Sequence, residues 1–436
     1  MLLWFCLGLK KGTYIFIPKI YTDTNLKSYV KMLPLLLSLG VVAMACVWQH
    51  IHRYLHRTLN PSLHYNSPTH CRAVIAAKTL SPDIYNELIP YASRNLPNRN
   101  LETAFAIENA FTTMDGDYIK SFVKKAERSI SFQPEEWKII SVRVRHAVRH
   151  AKGSILLLDG LHAVPLPSMI QAPTMQAILE ILFPDRNGPS EHAQLAALAK
   201  AVNDTWIASK DKSTLLRFED NEQLQAVLSV VFPDWDRSDP RESPLNWILP
   251  AFETMWRIVA RTVVEVRFRT GMGHPEWREL LVGFSKDPTK ENFKEMHGNV
   301  SAEFLVNEAL RLYPPTKRIY REWKWGSSLR KIAADIERCH CSSDVWGPSS
   351  KEFDPVRWKS LTEEQKLGFL PFGSSPFTCP ARATFGTMMI ALLVGALIDE
   401  FGEEWVLVQE DGRETLGSFD SRNDRNALDG VVLMSK

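Results

Sequence analysis

Cys379 lies in the segment Phe372-Gly373-Ser374-Ser375-Pro376-Phe377-Thr378-Cys379-Pro380-Ala381, just ahead of a long apolar stretch. A cysteine thiolate is one of the few protein ligands that can hold haem iron and push electron density toward bound oxygen. Such a ligand needs a dry, rigid pocket, because solvent access alters the metal potential and promotes ligand loss. Phe372, Pro376, Phe377 and Pro380 supply bulk and stiffness for that purpose. The plainer reading is a buried, inert thiol, the commonest fate of a free cysteine. Cys339-His340-Cys341 invites a zinc reading, but structural zinc sites pair such ligands with a second set, and the sequence has no second pair. These three read as ordinary strand or loop residues.

Three further groups have chemistry-bearing spacing. Glu308 and Arg311 are three apart, so on a helix they share a face and can pair. Exposed, such a pair contributes only tenths of a kcal/mol, and about 1 kcal/mol at most. Leu312-Tyr313-Pro314-Pro315 follows and stops the helix, and Phe353-Asp354-Pro355-Val356-Arg357-Trp358 brings a second arginine before Cys379. Glu253-Thr254 sits inside the apolar-aromatic stretch 245–269. A threonine hydroxyl can bond its own helix backbone and open a local groove.

The elements that must position these residues are mostly helical. Helices are expected over 101–130, 135–150, 191–209, 221–231, 245–269, 275–284, 302–312 and 383–401, with three- and four-residue apolar spacing over 191–209 and 221–231 and apolar residues almost throughout 383–401. Pro250 interrupts the fifth of these, and proline there removes a backbone bond and bends the helix. Residues 317–324 alternate like a strand, and 165–189, where prolines accumulate, reads as loops. A few short strands are expected between Tyr313 and Trp358 and at the C-terminus.

Bulk properties exclude some classes. The 436 residues are 45% hydrophobic and 23% charged with a formal net charge of +2, which is ordinary for a folded protein and gives no footprint for nucleic acid. Six cysteines, at 6, 46, 71, 339, 341 and 379, are scattered and form no disulfide framework. Leu33 to Trp48 carries no charge and reaches Ile51 if Gln49 and His50 are tolerated, near the lower limit for a membrane-spanning helix. The expected organisation is an N-terminal extension over 1–31, an anchor over 32–52, a linker and the start of the catalytic domain over 53–100, and the catalytic domain over 101–436. Met32 is the expected true start. The sequons at Asn203 and Asn299 would matter only on a lumenal domain.

Taken in order, Glu308-x-x-Arg311, Phe353-x-Pro355-x-Arg357-Trp358 and the Cys379 loop resemble the cytochrome P-450 superfamily of haem-thiolate monooxygenases. The resemblance runs from about Leu101 to the C-terminus and is strongest over 245–385. It implies a mainly α-helical fold with a small β region around haem b, Cys379 as axial iron ligand, and Phe372 in the cofactor pocket. It implies that Glu308, Arg311 and Arg357 form a buried network, and that Glu253 and Thr254 border the oxygen site. Electrons would come from NADPH through a reductase, with the domain held on the cytosolic face of the endoplasmic reticulum. The style of Asp335-Ile336-Glu337, Trp346-Gly347-Pro348 and Phe353-Asp354-Pro355 resembles fungal members acting on lipophilic secondary metabolites.

The chain departs from that pattern in five places. Ser375 stands where the family has glycine, and Phe377 stands where it has an arginine that meets a haem propionate. Arg318 is the expected replacement for that cation. A second propionate ligand in a Trp-x-x-x-Arg element fails here, since Trp137 is followed by Ser141 at the arginine position. Pro250 and Ala251 replace the glycines expected ahead of Glu253-Thr254. The segment between 150 and 245 is short for the family, which implies an open substrate channel or lost coding segments. Two alternatives follow: an isomerase, dehydratase or peroxygenase of the same fold that needs no reductase, or a haem-poor relic.

Overall fold

A computed structural model describes residues 63–80, 85–153, 157–158, 161–187, 191–325, 328–409, 428 and 430–435. The expected extension and anchor, 1–52, lie outside the described residues, and so does the start of the linker. Among the described residues no helix is long and apolar enough to cross a membrane. By contacts, Ser62–Lys436 is one compact unit.

The order begins β1 (Leu63–Tyr65), α1 (Pro68–Ile75), α2 (Pro90–Asn95), α3 (Arg99–Phe105), α4 (Gly116–Ser129) and α5 (Pro134–Gly153). It continues β2 (Leu157–Leu158), β3 (Leu161–Pro165), α6 (Leu166–Leu182), α7 (His192–Ala208), α8 (Glu222–Val231) and α9 (Leu245–Val263), the last prolonged by a π-turn over Val264–Phe268. Then come α10 (Pro275–Lys286), α11 (Lys290–Lys294), α12 (Ala302–Leu312), β4 (Arg318–Trp325), β5 (Ser328–Asp335), α13 (Ile336–His340) and α14 (Ser343–Trp346). The last elements are α15 (Glu363–Gly368), α16 (Phe385–Glu400), β6 (Trp405–Gln409) and β7 (Val431–Ser435).

The core is helix on helix, with side chains of α5, α6, α9, α10, α12 and α16 packed into one apolar cluster. Helix α16 runs through its middle, and from Phe385 to Ile398 every residue is buried, as an all-apolar helix must be. Gly395 permits this: a Cβ there would lie 2.1 Å from the carbonyl oxygen of Leu281 in α10, so only glycine allows the two backbones to touch.

Two small sheets flank the helices. One has the order β1-β5-β4, with β1 parallel and β4 antiparallel to β5, and its second apolar cluster joins Trp323 and Ile332 to Cys71, Val74 and Ile75 of α1. The other has the order β2-β3-β7-β6.

Three expectations change. Residues 101–130 are two helices rather than one: Ala106 takes a left-handed φ of 46°, and Asp115 caps α4 by accepting from the backbone N–H groups of Asp117 and Tyr118. Residues 165–189 are mostly helix α6, not loop. Pro165 and Pro167 lie at its start, where proline costs no hydrogen bond, and Pro173 is carried inside it. The Cys339-His340-Cys341 segment ends a short helix instead of lying in a strand or loop.

Candidate cofactor site

Helix α12 is capped by Ser301, whose hydroxyl accepts from the N–H of Phe304, and it ends ahead of Pro314-Pro315. It places Glu308 and Arg311 on one fully buried face. The Glu308 carboxylate accepts five hydrogen bonds. Oε1 takes Arg311 Nη2 at 2.7 Å, Arg357 Nε at 2.9 Å and the Asp354 backbone N–H at 3.0 Å. Oε2 takes Arg311 Nε at 2.9 Å and Trp358 Nε1 at 3.0 Å. Arg311 uses its remaining donors on the carbonyls of His340, Ser350 and Glu352. A planar fork with five donors is matched to this set, and lysine is not. The three residues that the resemblance groups into one network thus meet at one carboxylate.

The network reaches the cysteine loop through His340, which sequence reading passed over. Its Nε2 accepts from the Leu370 N–H at 2.9 Å, which leaves the proton on Nδ1 to donate to the Arg311 carbonyl at 3.0 Å. Burial, and then the Arg311 charge, push its pKa down to about 3, so the ring is neutral. Three residues beyond Leu370, Gly373 turns the chain with φ +68°, and the Cys379 N–H closes the loop on the Phe372 carbonyl at 2.9 Å. Phe372 rests on α16 where Gly386 leaves room; a Cβ there would lie 2.9 Å from the ring.

Cys379 is solvent-accessible, yet the surrounding protein is dense enough that desolvation pushes its thiol above the ordinary range. The Ala381 N–H and the Arg94 charge oppose that rise. A free thiol is therefore favoured at neutral pH, and a bound metal would be needed to hold it as thiolate.

Two guanidiniums lie beside this loop. Arg94 of α2 and Arg321 of β4 are 9% and 4% exposed, and among the described residues neither has a carboxylate partner. Desolvation lowers their pKa values to about 10 and about 9, Arg321 being depressed further by Arg94. They are brought together because Ser93 donates to the Glu322 carbonyl at 2.7 Å and Asn86 accepts from the Lys324 N–H. Both face the Phe377 ring, with centroid distances of 4.7 Å and 5.1 Å. Nearby, the Ser374 hydroxyl is buried with no partner among the described residues.

Arg318 is placed elsewhere. It sits on the opposite face of β4 from Arg321, and its Nε donates to its cross-strand neighbour Asp335 at 3.0 Å. Asp335 also lies 3.8 Å from Arg338. Trp137 is likewise remote in role: it is buried on α5 against Phe132 and Phe385, while the Ser141 hydroxyl donates to the Ser285 carbonyl.

Helix α9 continues through Pro250. The carbonyl of Asn246, deprived of its helical donor, accepts instead from Asn109 Nδ2 at 3.4 Å. Trp247, Ala251 and Thr254 share its partly accessible face, and Trp247 stacks on Phe122 of α4 at 4.2 Å. The Thr254 hydroxyl donates to the Pro250 carbonyl at 3.1 Å. Glu253 is buried and pairs with Arg257 at 3.0 Å, whose Nη2 also donates to Asn203 on α7. The structure therefore separates the acid and the hydroxyl onto different faces of the helix.

A soft sulfur donor, two buried cations without counter-anions and an orphaned hydroxyl fit a metal macrocycle that carries acidic edges. The comparisons agree. The Cytochrome P450 family model matches residues 274–416. Cytochrome P450 734A5 of Oryza sativa subsp. japonica is 23% identical over 175 residues, 36% of this chain and 31% of that protein. The 11-oxo-beta-amyrin 30-oxidase of Glycyrrhiza uralensis is 26% identical over 147 residues, 30% of this chain and 28% of the relative. The chain spans only 20% to 31% of the length of such curated relatives. The crystal structure of CYP175A1 from Thermus thermophilus superposes with a TM-score of 0.52 at 15% identity, over 85% of this chain and 91% of that one. Residues 274–416 thus match the cytochrome P450 family, and the fold over most of the chain is similar to that of solved P450 structures. Haem is the cofactor that this family implies.

Proposed function

We propose that the protein is a haem-thiolate monooxygenase that inserts one atom of O2 into a lipophilic small molecule. The observation that carries this is the Cys379 loop, tied through His340 to the Glu308–Arg311–Arg357 network and flanked by two carboxylate-free guanidiniums. Haem b would be held by Cys379 from its sulfur side, by Phe372 packing, and by Arg94 and Arg321 at its acidic edge; when bound, it supplies oxygen activation with electrons from NADPH through a reductase. The network keeps the loop rigid, so the sulfur stays aimed. Thr254, on the partly accessible face of α9, would hold an ordered water or pass a proton toward the reacting oxygen once its hydroxyl leaves the Pro250 carbonyl.

A lipophilic substrate is supported by relatives such as the 11-oxo-beta-amyrin 30-oxidase, whose name denotes oxidation of that compound. The two relatives named above come from plants, and the reading of fungal secondary metabolism rests on motif style. Anchoring through 32–52, with the domain on the cytosolic face of the endoplasmic reticulum and an NADPH–cytochrome P450 reductase as partner, belongs to the same proposal. The test is turnover with reductase, NADPH and isotopically labelled O2. One labelled atom in an organic product supports the proposal, and haem-loaded protein that turns substrate over without reductase or O2 overturns it.

That second outcome has an observation in its favour. The Glu253 carboxylate is committed to Arg257 and the Thr254 hydroxyl to the Pro250 carbonyl, so neither proton-delivery group stands free of its own helix. A reductase-independent isomerase, dehydratase or peroxygenase would need less from that pair.

A further inference from the structure

The one aromatic residue of the cysteine loop that does not pack on α16 is Phe377, and its surroundings are electrostatic. The Arg94 guanidinium lies 4.6 Å from the Phe111 centroid and 4.7 Å from that of Phe377. Arg321 lies 5.1 Å from Phe377, and the Tyr91 ring meets Phe377 edge-on at 6.0 Å. Two buried cations with no carboxylate among the described residues repel each other; Arg321 also donates to the carbonyls of Ile75 at 3.1 Å and Tyr320 at 2.8 Å, and the negative face of the Phe377 ring attracts both guanidiniums.

We propose that Phe377 is a positioning residue: its ring holds the Arg94 and Arg321 guanidiniums in place, so that both are presented to the carboxylates of the bound cofactor. This rests on the haem-thiolate reading above. It also gives a physical reason for phenylalanine where the resembled family has arginine. With Arg94 and Arg321 already in place, a third buried guanidinium would add repulsion without adding a counter-charge. A neutral π-face instead lowers the cost of confining the other two, as cations over aromatic faces do.

The test keeps the shape of the residue and changes only its electrostatics. Phe377 is replaced by a fluorinated phenylalanine, which withdraws the negative charge from the ring face. The rate of haem transfer from the loaded protein to an excess of apomyoglobin is then measured. Loss of two partly desolvated cation–π contacts should speed transfer roughly 5- to 30-fold. Phe377→Leu should do at least as much, and Phe377→Trp should restore the slow rate. In an Arg94→Met/Arg321→Met background the fluorinated ring should change the rate less than about 2-fold, because nothing is left for it to hold. Equal transfer rates for the native and fluorinated rings overturn the proposal, and so does an acceleration that persists undiminished in the double-Met background. Failure of the underlying haem-thiolate reading looks different: the unaltered protein would carry no thiolate-ligated haem to transfer.

Discussion

Glu308→Gln changes one oxygen to an amide nitrogen and almost nothing in volume. Five donors converge on the carboxylate, three at Oε1 and two at Oε2. An amide –NH2 at the Oε2 position would face Arg311 Nε–H and Trp358 Nε1–H, donor against donor. Turned over, it would face Arg311 Nη2, Arg357 Nε and the Asp354 N–H. At least two buried donors are orphaned either way, and a buried donor left unmet costs about 1–3 kcal/mol. Arg311 is also fully buried, so it and Arg357 lose their shared counter-charge, and breaking a buried pair costs about 3–5 kcal/mol. These costs overlap, and ~4 kcal/mol is a fair expectation against a total stability of about 5–15 kcal/mol. Denaturant unfolding of the haem-loaded protein, followed by tryptophan fluorescence, reads it as a drop in midpoint at unchanged slope. A variant within about 1 kcal/mol of the parent, with full haem content, would refute the reasoning, because it would mean the carboxylate's charge is not needed where it is buried.

Three other outcomes are expected. Gly386→Ala should lower haem content and thermal stability, since its Cβ would meet the Phe372 ring at 2.9 Å; Gly283→Ala, with nothing within 4 Å, should leave haem content unchanged. His340 stays neutral in the fold with a pKa of about 3, while the unfolded chain takes up its proton near about 6.5. Stability from this group is therefore complete above about pH 6.5 and is lost as pH falls toward about 3, by about 1.4 kcal/mol per pH unit. His340→Gln should be weaker at pH 7 but flatter across that window, and parallel stability–pH curves would contradict this. Thr254→Val should retain haem while diverting reducing equivalents to peroxide, measured as peroxide formed per NADPH; unchanged coupling would remove Thr254 from the proton path.

What was readable in advance follows from how local each constraint is. The helix over 302–312 was legible because its serine cap and terminal prolines bracket an amphipathic run. The pair at 308 and 311 was legible from its helical spacing, and Arg357 joined it only through the resemblance of the ordered motifs. Arg318 suggests itself from the sequence because it lies in the strand that leaves Pro314-Pro315. Yet alternation along β4 puts Ile319, Arg321 and Trp323 on the inward face, and that pattern was the signal available for Arg321. Arg94 had none, since its neighbours Phe377 and Arg321 are more than two hundred residues away. Prolines at 165, 167 and 173 read as loop punctuation, although proline in a first helical turn is favoured and a single interior one was tolerated here. His340 was set aside once zinc was excluded, because its actual work, joining two backbone segments, leaves no motif.

The central claim is that Cys379 holds haem iron as thiolate. Reduction of the purified protein with dithionite under carbon monoxide, with and without Cys379→Ala, tests it most directly. The expected result is a thiolate-type Soret band in the parent that the substitution abolishes. A parent that is folded but carries no haem, or a thiolate-type band that survives in Cys379→Ala, would contradict it.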